Sequence, residues 1–70
     1  MKLRKGELKS FNSDNYTATV QLAGSYKVYL EDLAVARNIS SAEMITGRRV
    51  AVVFFDEHSP RDAVIVAVYI

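Results

Sequence analysis

Gly47-Arg48-Arg49-Val50-Ala51-Val52-Val53-Phe54-Phe55-Asp56-Glu57-His58-Ser59-Pro60-Arg61-Asp62-Ala63-Val64-Ile65-Val66-Ala67-Val68-Tyr69-Ile70 is the stretch that decides the fold. Two apolar runs, Val50 to Phe55 and Ala63 to Ile70, flank one polar turn and read as a hairpin that closes a barrel. Both runs are rich in β-branched and aromatic residues, and neither alternates with polar ones, so both faces of each strand are expected to be covered. A domain of 70 residues has little mass with which to cover them. The expectation that follows is a chain acting as one piece of a larger assembly.

Working outward, the 70 residues allow one domain spanning 1–70, near the lower limit at which a single core suffices. There is no cysteine, so neither disulfides nor thiolate-metal sites contribute, and stability must come from packing. Half of the residues are hydrophobic, which suits a compact core and argues against disorder. The longest apolar stretch, Ala63 to Ile70, is too short to cross a bilayer as a helix, so a soluble chain with no membrane partner is expected. The basic start Met1-Lys2-Leu3-Arg4-Lys5 lacks the apolar segment of an export signal, which makes cytoplasmic synthesis the expectation. Formal net charge is only +1, short of the excess carried by proteins that live on phosphate contacts. The local cluster Lys2, Arg4, Lys5 and Lys9 reads as a charged edge strand.

Upstream of the hairpin, Lys5 to Phe11 predicts a first strand with Leu8 and Phe11 inward and Glu7 and Lys9 outward, and Gly6 suggests a bulge or bend. Asn12-Ser13-Asp14-Asn15 is a cluster of turn formers. Tyr16 to Leu22 then gives the cleanest period-two pattern, with Tyr16, Ala18, Val20 and Leu22 on one face. Ala23-Gly24-Ser25 makes the next reversal, and Tyr26 to Leu30 alternates again to complete a three-stranded meander. Leu33 to Arg37 either continues extended or bends into a short strand. Ser40-Ser41-Ala42-Glu43 fits a capping box, Ile39 is placed to staple onto Met44, and Gly47 stands where a left-handed C-cap belongs. A helix of about two turns is therefore expected there, plugging the barrel end. The order predicts an all-β, small five-stranded OB-like barrel with one short helix between strands three and four; an SH3-like barrel is the close alternative.

Chemistry-bearing constellations are sparse. The only histidine, His58, lies in Asp56-Glu57-His58-Ser59-Pro60-Arg61-Asp62, a composition that fits a solvated hairpin loop better than a metal or acid–base site. No cofactor motif is readable, and no enzyme is expected. Nucleic-acid binding would fall on Tyr26, Lys27 and Tyr29, with phosphate contacts from Arg48 and Arg49, because barrels of this type stack bases on aromatics set among basic residues. A protein-contact reading instead follows from the last strand, where Val64, Val66, Val68 and Ile70 alternate with Ala63, Ile65, Ala67 and Tyr69 and only one set faces the interior. Phe54 and Phe55 pose the same question. On this reading Phe55, Ile65 and Tyr69 carry subunit contacts.

Four segments carry a resemblance: Gly6-Glu7-Leu8, Tyr16 to Leu22, Gly47 to Asp56, and Pro60 to Tyr69. They resemble the OB-fold domain of phage baseplate and tail-spike proteins and of type VI secretion spikes, in which a glycine opens a Gly-x-x-Val-x-Val-x-Phe strand, an acidic Pro-containing turn follows, and a strand ending in a small residue and tyrosine closes the barrel. Neither the β-helical spike nor the lysozyme-like domain of the large members is readable in these 70 residues, so a free-standing OB module is the expectation. The resemblance implies a phage or prophage structural protein, a virion destination, homo-oligomeric contacts or contacts with other phage structural proteins, and no catalysed reaction. The alternative left open is a small nucleic-acid-binding OB or SH3-like domain.

Overall fold

In a computed structural model describing residues 1–24, 28–56, 58, 59 and 61–70, the order is β1 (Lys2–Asn12), β2 (Thr17–Leu22), β3 (Tyr29–Val35), a 3-10 turn (Ser41–Glu43), β4 (Arg49–Phe54) and β5 (Ala63–Tyr69). The strands close into a barrel in the order β1-β2-β3-β5-β4, with β4 returning to β1. All neighbours are antiparallel except β3 and β5, which run parallel through Ala34↔Val64 and Val35↔Ile65. A meander followed by a hairpin whose last strand inserts beside β3 is the OB-like arrangement, which decides against the SH3-like alternative.

β1 is long enough to serve both halves: Lys2 to Glu7 pair with β4, while Gly6 to Asn12 pair with β2. The hairpin to β2 turns through Asn12, whose Oδ1 accepts from the Asp14 N–H at 2.9 Å, and through Asn15, whose Oδ1 accepts from the Thr17 hydroxyl at 2.7 Å. Tyr16 leaves the turn at φ 55°, and its hydroxyl donates to the Ile39 carbonyl. Its ring meets Phe11 edge-on at 5.1 Å and carries the Arg37 guanidinium at 5.2 Å. One side chain thereby ties the first hairpin to the connection after β3.

The core is the inward face of every strand. Leu8, Val20, Leu33, Val50, Val52 and Ile65 are fully enclosed, and no polar or charged residue is buried among the described residues. Ile39 and Met44 flank the 3-10 turn and are both buried, whereas no residue of the turn itself is. The expected two-turn helix is thus a single turn whose flanks do the plugging. Ser40 caps it as expected, accepting from the Ala42 N–H at 3.2 Å. Glu43, however, does not fold back to complete a capping box; its carboxylate takes Arg48 Nη1 at 2.7 Å. Gly47 follows at φ 99°, in the left-handed region expected for it.

Register shifts set which residues face in. The pairing of β1 with β2 slips between Leu8 and Ser10, so Lys9 is an extra residue and both Leu8 and Phe11 reach the interior. The bulge therefore falls at Lys9, and Gly6 has another role: a Cβ there would lie 2.4 Å from Val20 Cγ1. β3 starts later than expected and runs through Leu33 to Val35, with its own irregularity around Asp32, which has φ 58°. Tyr26 and Lys27, the first residues of the expected third strand, lie outside the described residues. In β5 the slip between Val52↔Ile65 and Ala51↔Ala67 makes Val66 the extra residue.

That last bulge corrects one expectation. The sequence pattern offers Ile65 to a subunit interface, but the residue is 0 % exposed and points into the barrel with Ala63. Beyond Val66 the phase reverses, so Val68 turns toward the core while Ala67 and Tyr69 face out. Neither of the two alternating sets is inward along the whole strand.

Candidate functional site

Alternation places two different surfaces on the outside of the barrel. The first crosses β1, β4 and β5 and is apolar on β4 and β5 at its centre, with Lys5 of β1 at its side. Leu3 lies opposite Val53, and Val53 opposite Val64; one step along the strands, Lys5 lies opposite Ala51, and Ala51 opposite Ala67. Leu3 is 65 % exposed, and Val66 adds a second outward residue beside Ala67 because the bulge suspends alternation there. At one end stands Phe55, 54 % exposed, whose N–H donates to the Asp62 carbonyl at 2.9 Å and so shares a face with Asp62. At the other end Arg49 pairs with Tyr69, 38 % exposed. Of the three residues expected to carry subunit contacts, Phe55 and Tyr69 therefore lie on this outer face and Ile65 does not.

The second surface is a polar row running from β3 to β5. Tyr29 pairs with Gln21, Gln21 with Glu7, Glu7 with Arg49, and Arg49 with Tyr69. An open depression of about 540 Å³ lies over its middle, lined by Lys5, Glu7, Gln21, Arg49 and Tyr69 among others. Lys9 Nζ donates to Glu7 at 2.8 Å, and that hydrogen bond holds the Lys9 ammonium above its ordinary pKa. The residues expected for nucleic-acid contact are distributed unevenly. Tyr29 and Arg49 share the row but are separated by Gln21 and the Glu7 carboxylate, while Arg48 is turned away and held by Glu43. Tyr26 and Lys27 lie outside the described residues.

The Asp56–Asp62 turn is organised by its own first residue: Asp56 Oδ1 accepts from the His58 N–H at 2.9 Å, and its carbonyl accepts from the Ser59 N–H at 3.1 Å. Among the described residues no group of three or more His, Cys, Asp or Glu converges to hold a metal ion, and no helix is long and apolar enough to cross a membrane.

Sequence reasoning missed Leu3 and Val53 as surface residues. Leu3 was legible, since the outward phase of Lys5 and Glu7 extends back to it by period two. Val53 was not, because the uninterrupted apolar run of β4 gives no sign of which valines face out.

The class defined by this geometry is a small closed OB-like barrel whose outer sheet face is apolar along the middle of β4 and β5. No family model, curated protein or solved structure matches the chain.

Proposed function

We propose that the chain is a structural or interaction module of the phage-tail and baseplate type, acting through protein–protein contacts and catalysing no reaction. The observation that carries this reading is the outer face of β1, β4 and β5, where exposed Leu3, Val66 and Phe55 join half-buried Val53 and Val64 in an apolar surface. The barrel-closing segments that resemble baseplate and spike OB domains are the same β4 and β5 that build this face. The tail assignment is tested by purifying contractile-tail particles from cells that make the protein and quantifying the chain in them by mass spectrometry. A fixed stoichiometric amount is expected; absence from intact particles would remove the assignment. The alternative, a small nucleic-acid-binding barrel, rests on Tyr29 and Arg49 sharing one outward row. It would gain the upper hand if a single-stranded oligonucleotide were retarded by the protein in a gel and released by Arg49→Glu.

A further inference from the structure

The outer face of β1, β4 and β5 has an internal polarity that specifies what fits it. Successive outward rows, read along the strands, are Glu7–Arg49–Tyr69, then Lys5–Ala51–Ala67, then Leu3–Val53–Val64, and finally Phe55 with Asp62. On β4 and β5 the second row is small, with two alanines, and the third is large, with two valines; on β1 the second row carries Lys5 and the third Leu3. The guanidinium of Arg49 sits at one end of the strip and the carboxylate of Asp62 at the other. Among the described residues Arg49 takes part in no ion pair.

We propose that this face packs on the same face of a second copy of the chain, about a two-fold axis lying between the two sheets and perpendicular to their strands. The proposal rests on the protein-contact reading above and names its partner. Such an axis reverses strand direction while keeping each strand over its own equivalent. The small row of one copy then lies over the large row of the other, so Val53 and Val64 enter the spaces left by Ala51 and Ala67, and the Lys5 stem lies along Leu3 of the second copy with its ammonium at the rim. The outermost rows exchange as well. Arg49 comes over Phe55 of the second copy and beside its Asp62, joining a ring-face contact to an ion pair. The Tyr69 hydroxyl comes over the same carboxylate. An axis parallel to the strands would instead place large on large and Arg49 near its own equivalent, which both packing and charge disfavour. Aligned sheets pack about 10 Å apart with their strands within about 30° of each other, which keeps the central rows in register. Three short strands give an interface at the small end of the stable range, so the dimer is expected to dissociate on dilution.

Sedimentation equilibrium over a wide range of protein concentration tests this, with circular dichroism as the check on folding. The wild-type chain is expected to rise from 7.8 kDa to twice that mass. Arg49→Asp and Asp62→Arg each create two like-charge contacts in a homodimer, and each is expected to weaken dimerisation roughly tenfold or more. Mixing the two variants sets the new carboxylate at position 49 of one chain against the new guanidinium at position 62 of the other. The second site of that mixed dimer keeps the native Arg49–Asp62 contact, so the mixture is expected to recover wild-type affinity. Ala67→Lys, on an exposed position, fills the small row and is expected to give a folded monomer. A wild-type monomer at every concentration, a trimeric mass, or a mixture no better than its parts would each overturn the two-fold pairing. Those results would leave the tail assignment standing, because that is decided by the chain's presence in particles.

Discussion

Gly6 lies in β1 where that strand passes the side chain of Val20, and the contact is backbone-close because no Cβ intervenes. Adding one would bring it to 2.4 Å from Val20 Cγ1 and 3.0 Å from the Gln21 carbonyl oxygen. The second neighbour is backbone and has little room to move. Gly6→Ala reduces the freedom of the unfolded chain, which favours folding by about 0.4–1 kcal/mol, but overpacking a closed core costs about 1–3 kcal/mol and is expected to dominate. For a domain of this size each kcal/mol lowers the melting temperature by about 4–8 °C, so a clear fall in a thermal melt is expected. An unchanged midpoint would mean that Val20 rotates away at no cost. Tyr16→Phe isolates a different term. It keeps the ring against Phe11 and under Arg37 while removing the hydroxyl that donates to the Ile39 carbonyl. A loss of about 0.5–1.5 kcal/mol in urea denaturation is expected, the net worth of one hydrogen bond. No loss would show that water replaces the hydroxyl fully.

Bulges decide which side chains each strand presents. Val66 is the extra residue of β5, and deleting it leaves Ile65 opposite Val52 and Ala67 opposite Ala51 in an unbroken alternation that keeps Val68 in and Tyr69 out, whereas deleting Val64 from the regular part of the strand brings Ile65 opposite Val53 on the outer face or turns Ala63 out. Deleting Val66 is therefore expected to keep the folded circular dichroism and resonance dispersion, and deleting Val64 to abolish both. Equal loss of folding from the two deletions would show that β5 requires the bend of the bulge itself and not only the facing of its side chains. The same device explains what the sequence disclosed and what it hid. β2 was legible throughout, because Thr17 to Leu22 carries no slip and its residues alternate between buried and half-buried without interruption. β5 was legible as a strand but not in its facing, since a bulge inside an all-apolar run leaves no mark on polarity. β3 began later than its alternation suggested, and the break at Asp32 means that Leu30 and Leu33 lie toward the interior at a spacing of three. The expected helix is one turn because the backbone leaves helical geometry at Met44, with φ −83° and ψ 69°, and Glu43 turns to Arg48 rather than to the backbone of Ser40. The spacing of Ser40 and Glu43 marks where a helical turn starts and carries no information on where it stops. Among the interface candidates, Phe55 and Tyr69 were placed outside by simple alternation from the β4–β5 pairing, and Ile65 was lost to the bulge.

Closure of the whole barrel is uneven around its circumference. β1 is paired on both sides and joins the meander to the β4–β5 hairpin along its length, whereas the other join between those halves is the parallel β3–β5 pair of Ala34↔Val64 and Val35↔Ile65. One hydrogen bond extends that seam, from the Ala36 N–H to the Ile65 carbonyl at 2.9 Å. The corresponding bond on the β1 side, from the Leu8 N–H to the Arg48 carbonyl at 2.8 Å, sits beside a fully buried side chain and between two long pairings. Both bonds are short and well formed, so their geometry alone would protect them equally. Opening depends instead on how much structure must separate. Releasing Ala36 requires only the short seam to part, while releasing Leu8 requires β1 to leave its neighbours, which amounts to unfolding the molecule. Native-state hydrogen exchange is therefore expected to show the Ala36 amide exchanging roughly tenfold or more faster than that of Leu8, a difference of about 1.4 kcal/mol or more in opening free energy. Added denaturant should accelerate Leu8 with the full dependence of global unfolding and leave Ala36 nearly unaffected until the two converge. Equal protection at low denaturant would show that the barrel opens only as one unit, and that two register pairs of parallel strand, with the Tyr16 tie beside them, close the ring as firmly as the long antiparallel joins do.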